Sequence, residues 1–399
     1  HHQIKFDSLV LDSPSKTKTA YLQSLFGIRK GALYSQYKVE EIAQIISRQP
    51  FIALEAPPYV VFKYNKAYVH LKLREQKSTS FNGIIGYLPD VNRKRNTLVG
   101  EVQARFNNIF GMGVRYDLNW QRFQSKSQDL KTSLFVPYVL KSPIGIRVKL
   151  QVLKQDTTFV NISRKIAFEY RLNNHWTSAL SYELNTSAVN SNEPKGVQVY
   201  MPNTSRLYGL SLEYNTAHEV FFPRKGAKIL MEINLGNKTL NAETTPASNK
   251  NSTQFSGMLR GVKIIKFGQR AALVIQQQQG LIWNNKDAIF INDLYRLGGI
   301  NDLRGFNEKA FFVDKYILNT VEYRFLVRSD SYLNIFVDQA IIHVPEEKKK
   351  NQIPMGAGLG YVFKTPIGFM RIYYSVGKSQ YQALNIQNSK IHFAISNEF

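Results

Sequence analysis

The chain contains no cysteine. That excludes disulfides, thiolate metal sites, a cysteine nucleophile and a cysteine-linked lipid anchor. No run of about 18 apolar residues occurs, which excludes a helical membrane span. Acidic residues are scarce: 29 Asp and Glu stand against 52 Lys and Arg, a net charge of +23 over 399 residues. The surplus invites a nucleic-acid reading, but no helix-turn-helix, zinc-finger or RNA-binding sheet motif accompanies it, so no nucleic-acid partner is expected. The seven histidines (His1, His2, His70, His175, His218, His343, His392) are scattered, with no zinc-like spacing. There is also no GxSxG elbow and no phosphate loop. No enzymatic activity, catalytic residue, metal or cofactor is therefore expected. The opening residues HHQIKF lack a Met and a signal peptide, so the chain reads as processed, truncated or tagged.

What is present argues for a packed protein. The hydrophobic fraction is 43%, enough for a core and against wholesale disorder. A mean hydropathy of −0.28 suits a soluble protein. It suits a transmembrane β-barrel equally well, because alternating faces average out.

Two regimes meet near residue 78. Before it, Ile4–Leu11 reads as a strand. Ala20, Leu22, Leu25 and Phe26, then Val39, Ile42, Ile45 and Ile46, fall at helical spacing. Tyr59–Tyr64 and Ala67–Leu73 read as a hairpin about Asn65-Lys66. The spacing predicts a small α/β module over residues 1–78, ordered β-α-α-β-β.

From 79 to 399 helical periodicity disappears. About sixteen segments alternate with period two: 80–88, 97–106, 111–122, 130–140, 144–154, 158–171, 175–186, 205–215, 226–236, 254–265, 270–282, 315–327, 331–341, 354–363, 367–377 and 390–399. In 144–153, Ile144, Ile146, Val148, Leu150 and Val152 oppose Gly145, Arg147, Lys149 and Gln151. Such a strand needs one apolar and one wet side. Connections are mostly short on one rim and often long on the other (187–204, 237–253, 283–314, 342–353, 378–389), the pattern of an outer-membrane barrel with an even strand number. The expected fold is mainly β: a 16-stranded antiparallel transmembrane barrel behind the α/β module. A soluble sandwich or propeller is the alternative, but no blade-like repeat occurs. Arg105, Arg115, Arg147, Lys149, Arg171, Lys228 and Arg324 all fall on the polar face, which predicts a basic lumen. NRKRN (92–96) and EEKKK (346–350) place further charge in rim loops.

The most specific motif is YRLGGINDLRGF, residues 295–306, inside the long connection 283–314. A connection of that length without structure is unusual unless it folds back onto something. Gly298, Gly299 and Gly305 permit backbone geometries and close packing denied to other residues. Arg304, between Leu303 and Gly305 and followed by Phe306, calls for an acidic dock. In NTVEYRF, Glu322 shares a face with Thr320 and Arg324; in LNIFVDQA, Asp338 shares a face with Asn334 and Phe336. Carboxylates facing lipid are costly, so Glu322 and Asp338 should face the lumen. Arg304 then pairs with one or both of them. The alternative is a solvent-exposed arginine without a fixed partner.

LRGF (303–306), Glu322 in VEYRF and Asp338 in FVDQA resemble the signature of the BamA/TamA-like superfamily of outer-membrane assembly and translocation proteins. Eleven segments precede the loop and five follow it, the split expected of that sixteen-stranded barrel. The β-α-α-β-β module looks like its periplasmic POTRA domain. Phe222-Pro223-Arg224-Lys225-Gly226 is similar to the family's Pro-x-x-Gly lead into the ninth strand, and IHFAISNEF ends in Phe399 like its terminal strand. Two departures stand out: a single POTRA-like module, and Ala394 where the terminal signal often has Gly. The resemblance implies that the loop enters the lumen, that Arg304 pairs with Glu322 and Asp338, and that a weak seam joins the first and last strands. It implies residence in the outer membrane of a Gram-negative bacterium, with the module in the periplasm. The implied partners are outer-membrane lipid or lipopolysaccharide, unfolded client polypeptides, and periplasmic or lipoprotein accessory subunits. Energy would come from client folding.

The seam residues are Gly83, Ile85 and Gly86 in the first strand, and Ala394, Ser396 and Phe399 in the last. The first strand is short, glycine-weakened and should stop at Pro89; the last is short and ends polar. An opening seam would present a strand edge to a client; ordinary barrel closure is the bland alternative. The competing functions are a two-partner-type secretion pore for one polypeptide, the barrel part of a protein with an N-terminal hydrolase domain, and a passive porin. The last leaves the module and the LRGF loop unexplained.

Overall fold

A computed structural model describes residues 3–90, 95–190, 200–217, 225–241, 250–345, 351–365 and 368–396. The N-terminal region runs β1 (Lys5–Leu11), α1 (Thr19–Phe26), α2 (Gln36–Ser47), β2 (Ile52–Leu54), β3 (Tyr59–Lys63), β4 (Lys66–Leu71) and β5 (Leu73–Glu75). β4 pairs parallel with β1 and antiparallel with β3. β2 and β5 form a separate two-stranded sheet, so the chain adds two short strands to the three of the expected order. The helices bury the faces their spacing defines: Leu22, Leu25 and Phe26 from α1, and Val39, Ile42, Ile45 and Ile46 from α2. They pack on Phe6, Val69 and Leu71. The hairpin turn falls at Tyr64-Asn65, one residue earlier than the spacing predicts, and both residues have positive φ. This is the requirement of a tight two-residue turn matched to strand twist.

Sixteen strands follow in one antiparallel sheet. They are β6 (Ser80–Asp90), β7 (Arg95–Ile109), β8 (Val114–Gln124), β9 (Ser127–Val136), β10 (Ile144–Gln155), β11 (Phe159–Arg171), β12 (Trp176–Val189) and β13 (Asn203–Asn215). The long loop interrupts the second half: β14 (Gly226–Leu240), β15 (Asn251–Phe267) and β16 (Ala271–Asn284) precede it, and it carries the short β17 (Tyr295–Leu297) and β18 (Phe311–Val313). β19 (Lys315–Arg328), β20 (Ser331–His343), β21 (Met355–Thr365), β22 (Gly368–Lys378) and β23 (Lys390–Ser396) complete the sheet. Each sheet strand pairs with its chain neighbour, and β16 pairs with β19 across the loop. Several strands reach further toward the long-connection rim than alternation predicts. At the short-connection rim two segments are cut back by several residues: β8 begins after the turn at Gly111 and Gly113, both with positive φ, and β9 ends before a 3-10 turn at Val139–Lys141.

Among the described residues no ladder closes the sheet. β6 and β23 approach within 8 Å between Cα atoms, yet they are the two ends of the strand order among the described residues. The expected stop at Pro89 does not occur: Pro89 pairs with Asn96, and β6 continues to Asp90. Proline lacks only the N–H, which an edge strand can spare on its open side. β6 is not short at 11 residues, equal to β8; β23, at seven described residues, is short.

Alternation sorts the wall. Val321, Tyr323 and Phe325 on β19, and Leu333, Ile335 and Val337 on β20, are exposed outward. Thr320, Glu322, Arg324, Asn334, Phe336 and Asp338 are buried inward. The lumen cations are largely matched. Arg105 and Arg115 share Asp117 at 2.6 and 3.2 Å, Arg147 pairs with Glu169, and Lys228 lies 3.3 Å from Glu213. Lys165, which bridges Glu183 and Glu232, joins them. No helix among the described residues is long and apolar enough to cross a membrane.

The α/β region sits on the short-connection rim. The Lys18 N–H donates to the Gly111 carbonyl at 2.8 Å. Asn108 Nδ2 donates to Thr17 Oγ1 at 2.8 Å and Asn174 Nδ2 to Glu41 Oε1 at 2.5 Å. Arg48 donates to the Asn174 carbonyl. Between this region and the barrel wall lies a cavity of about 590 Å³, lined from one side by Tyr21 and Arg48 and from the other by Arg105, Arg147 and Arg171.

Candidate functional site: the inward loop and its lock

The loop between β16 and β19 returns into the barrel and is fixed at its base. Asn292 donates to Ser187 Oγ at 2.7 Å and to the Met201 carbonyl at 2.9 Å. It also accepts the Met201 N–H at 3.1 Å. Asp293 pairs with Lys238, whose side chain is fully buried, and accepts from Asn203 Nδ2 at 3.0 Å. β17 and β18 then form a short antiparallel ladder. It carries Leu297, Leu303, Phe306 and Val313 into an apolar cluster with Tyr316, Leu318, Ala340 and Ile342 of the wall.

This packing delivers Arg304 to two carboxylates. Its Nε and Nη2 each donate to Asp338 at 2.8 Å, to Oδ2 and Oδ1, and its backbone N–H reaches Oδ2 at 3.1 Å. Nη1 donates to Glu322 Oε2 at 2.9 Å. Thr320 Oγ1 supplies a further bond to Asp338 Oδ1 at 2.8 Å. Glu322 is shared, since Arg324 Nε donates to its Oε1 at 2.7 Å. Two cations and two anions thus cancel in a buried space, with every carboxylate oxygen hydrogen-bonded; geometry of this quality is what a buried ion pair requires. Burial alone would lower the pKa of Arg304, but the hydrogen bonds and charge of Asp338, with Glu322, hold it above its ordinary value.

Several participants are not apparent from motif reading. The guanidinium carbon of Arg304 lies 3.4 Å from the Phe336 ring centroid and 5.1 Å from that of Tyr373, cation–π contacts that replace part of its hydration. Gly305, at φ 92°, donates its N–H to His392 Nε2 at 3.3 Å. The loop tip therefore touches β23, one flank of the seam. A Cβ on Gly356 would stand 1.8 Å from the Arg304 carbonyl oxygen, so the backbones meet where only glycine fits. The glycines at 356, 358 and 360, at period two on one face, are the sequence signal that could have marked this approach.

Among the expected site residues, the structure brings together Leu303, Arg304, Gly305, Phe306, Glu322 and Asp338. Gly298 and Gly299 lie on the loop beside Glu308, whose carboxylate would be 2.1 Å from a Cβ on Gly299. Gly83, Ile85 and Gly86 lie in β6, opposite Val102, Gly100 and Val99 of β7. Ala394 and Ser396 lie in β23, opposite Arg371 and Phe369 of β22. Phe399, 222–224 of the Pro-x-x-Gly segment, 346–350, and 92–94 of NRKRN lie outside the described residues.

Glu308 Oε1 accepts the Ile300 N–H at 2.8 Å. Burial pushes its carboxyl up to about 7 from an ordinary 4.5; Asp302 and Glu101 add to the rise, and the Ile300 N–H and Lys309 oppose it. An acid raised in this way stabilises the docked loop fully below its ordinary pKa and loses that contribution as pH rises through about 7. The shift corresponds to about 3 kcal/mol between the two ends of that window. Limited proteolysis of 283–314 should therefore show stronger loop protection at pH 5 than at pH 8. Glu308→Gln should flatten the profile.

An antiparallel sheet of sixteen strands with apolar residues outward, entered by a loop locked on wall carboxylates, defines the class as a large outer-membrane-type β-barrel. The family described as the Omp85 superfamily domain matches residues 108–399, and the chain belongs to the Omp85 superfamily. Its members are outer-membrane barrels of protein insertion and secretion and are in general not enzymes. Solved structures share the fold at low identity. BamA from Haemophilus ducreyi lacking POTRA domains 1–3 has a TM-score of 0.59 at 14% identity, over 98% of this chain and 83% of that one. CdiB from Acinetobacter baumannii has a TM-score of 0.67 at 11% identity, over 98% and 73%. CdiB from Escherichia coli has a TM-score of 0.60 at 10% identity, over 98% and 90%. No curated protein matches the chain by sequence.

Proposed function

We propose that this protein inserts or translocates client polypeptides at the seam between β6 and β23, with the Arg304 lock setting the loop's position. The observation that carries the reading is that no ladder joins those strands among the described residues. Two strand edges that no ladder joins among the described residues offer backbone to an extended client, and main-chain pairing needs no particular client sequence. Residues 1–78 act as a POTRA-like periplasmic domain that receives the client below the short-connection rim. Lipopolysaccharide and accessory subunits are partners of the surrounding membrane and of that domain. The second reading is a secretion pore for one polypeptide, favoured by the cavity that continues from the module into the lumen.

Reconstitution separates the two readings. Purified protein in liposomes should accelerate the folding of an urea-denatured eight-stranded barrel into the bilayer. Failure to do so, with transfer of a polypeptide into the vesicle interior, would replace insertion by secretion.

A further inference from the structure

The cavity between the N-terminal region and the barrel wall carries more positive charge than its carboxylates match. Seven lysine and arginine side chains line it against two carboxylates, Glu169 and Glu213. Arg147 takes Glu169, and Lys228 takes Glu213. Just behind the lining, Asp117 is shared by Arg105 and Arg115, and Glu322 holds Arg324. Three positive charges stay in surplus among the described residues.

Two of the lining cations meet no carboxylate at salt-bridge distance among the described residues, and they come from opposite sides of the cavity. Arg48, just past the end of α2, donates to the Asn174 carbonyl and, at 3.3 Å, to His175 Nδ1. Its Nε is buried without an acceptor. Arg171, the last residue of β11, is exposed and makes no side-chain hydrogen bond or ion pair among the described residues. Burial lowers the pKa of Arg48, and the charge of Arg171 lowers it further. Like charges brought together by two separately packed parts of a chain oppose their docking. One glutamate in either part would remove the conflict, and so does a negatively charged occupant.

The surroundings narrow the occupant's chemistry. Aromatic rings share the lining: Tyr21 and Tyr138 lie 5.9 Å apart, and Arg147 lies 4.4 Å from the Phe135 ring centroid. Guanidinium groups beside aromatic rings suit carboxylates carried on a chain with apolar parts, more than a bare inorganic anion. The wall side is built from inward residues such as Arg105, Arg147 and Gln276, so lipid head groups on the outer face do not reach it. The volume, about 590 Å³, suits a ligand site, and the space runs from Arg48 to Arg324 beside the lock.

We infer that this vestibule binds acidic, unfolded polypeptide, with Arg48 and Arg171 receiving its carboxylates. The inference rests on the reading that clients pass this rim, and it names their charge.

The test uses the purified full chain in detergent micelles. Two unstructured peptides of equal length, one glutamate-rich and one lysine-rich, each carry a neutral dye, and fluorescence anisotropy reads binding. The glutamate peptide should bind and the lysine peptide should not. Arg171→Gln, which breaks no side-chain contact of the fold, should weaken binding about tenfold, the scale of one charge-assisted contact. Arg171→Lys should retain most of it. Arg29→Gln removes the same charge from an exposed site outside the cavity and should leave binding unchanged. Wild-type binding by Arg171→Gln, an equal loss in Arg29→Gln, equal binding of the two peptides, or inorganic phosphate binding as tightly as the glutamate peptide would overturn the inference. Binding is read without transport, so failure of insertion and secretion in vesicles would leave this result standing, and failure to bind would leave those readings standing.

Discussion

Arg304→Ala is expected to release the loop and to cost about 3–5 kcal/mol, the scale for removing one partner of a buried ion pair. The cost lies in what stays behind. Asp338 is fully buried and takes three of the four Arg304 hydrogen bonds at this site, and no other cation is in salt-bridge contact with it among the described residues. Two measurements check this: the urea midpoint of the barrel, and the rate at which protease cuts within 283–314. Both should move strongly. Arg304→Lys should recover only part of the loss, because an ammonium cannot reach two carboxylates with a planar fork. Combining Arg304→Met with Asp338→Asn, which leaves Glu322 paired with Arg324, should restore stability toward wild type while leaving the loop unlocked, since apolar or neutral replacement of both members of a buried pair is often near neutral. If that combination is as unstable as Arg304→Ala, the loss comes from packing around Leu303 and Phe306 instead.

The second large effect concerns the seam. Disulfides between β6 and β23 should abolish client insertion or translocation in vesicles, and reduction should restore it. Positions around Gly83 and Ile85, paired with positions flanking Ala394, are the places to introduce them. No native thiol competes, so each pair reports on one bridge only. If an oxidised, fully bridged barrel handles its client at the wild-type rate, the client does not pass between these strands.

Much of this architecture is legible in the residues. All sixteen strands follow from alternation, because each must keep one side in lipid and one in water; Val321, Tyr323 and Phe325 against Glu322 and Arg324 make the point on five positions. Arg304 and its two carboxylates are legible because charge inside such a wall has few places to go. Three things are not. The missing β6–β23 ladder depends on how the sheet curls across its whole width, which no local pattern encodes. The sharing of Glu322 by Arg324 depends on rotamers two residues apart on one face. β5 is three residues long, too short for periodicity to register. The rim strands also outrun their apolar stretches, since ladder hydrogen bonds continue wherever a neighbour strand is present.

The sharing of Glu322 has a consequence for how the lock would let go. When Arg304 withdraws, Glu322 keeps Arg324 at 2.7 Å, and Asp338 keeps the Thr320 hydroxyl. The empty dock is thus left with one stranded charge, not two. It is a ratchet with a resting tooth: release costs less than the full set of contacts suggests, and the seat stays shaped for the arginine's return. A wall that lacked Arg324 would hold the loop more tightly and let it go more rarely. Arg324 therefore sets how often the tip, and with it the Gly305 contact to β23, is free to move.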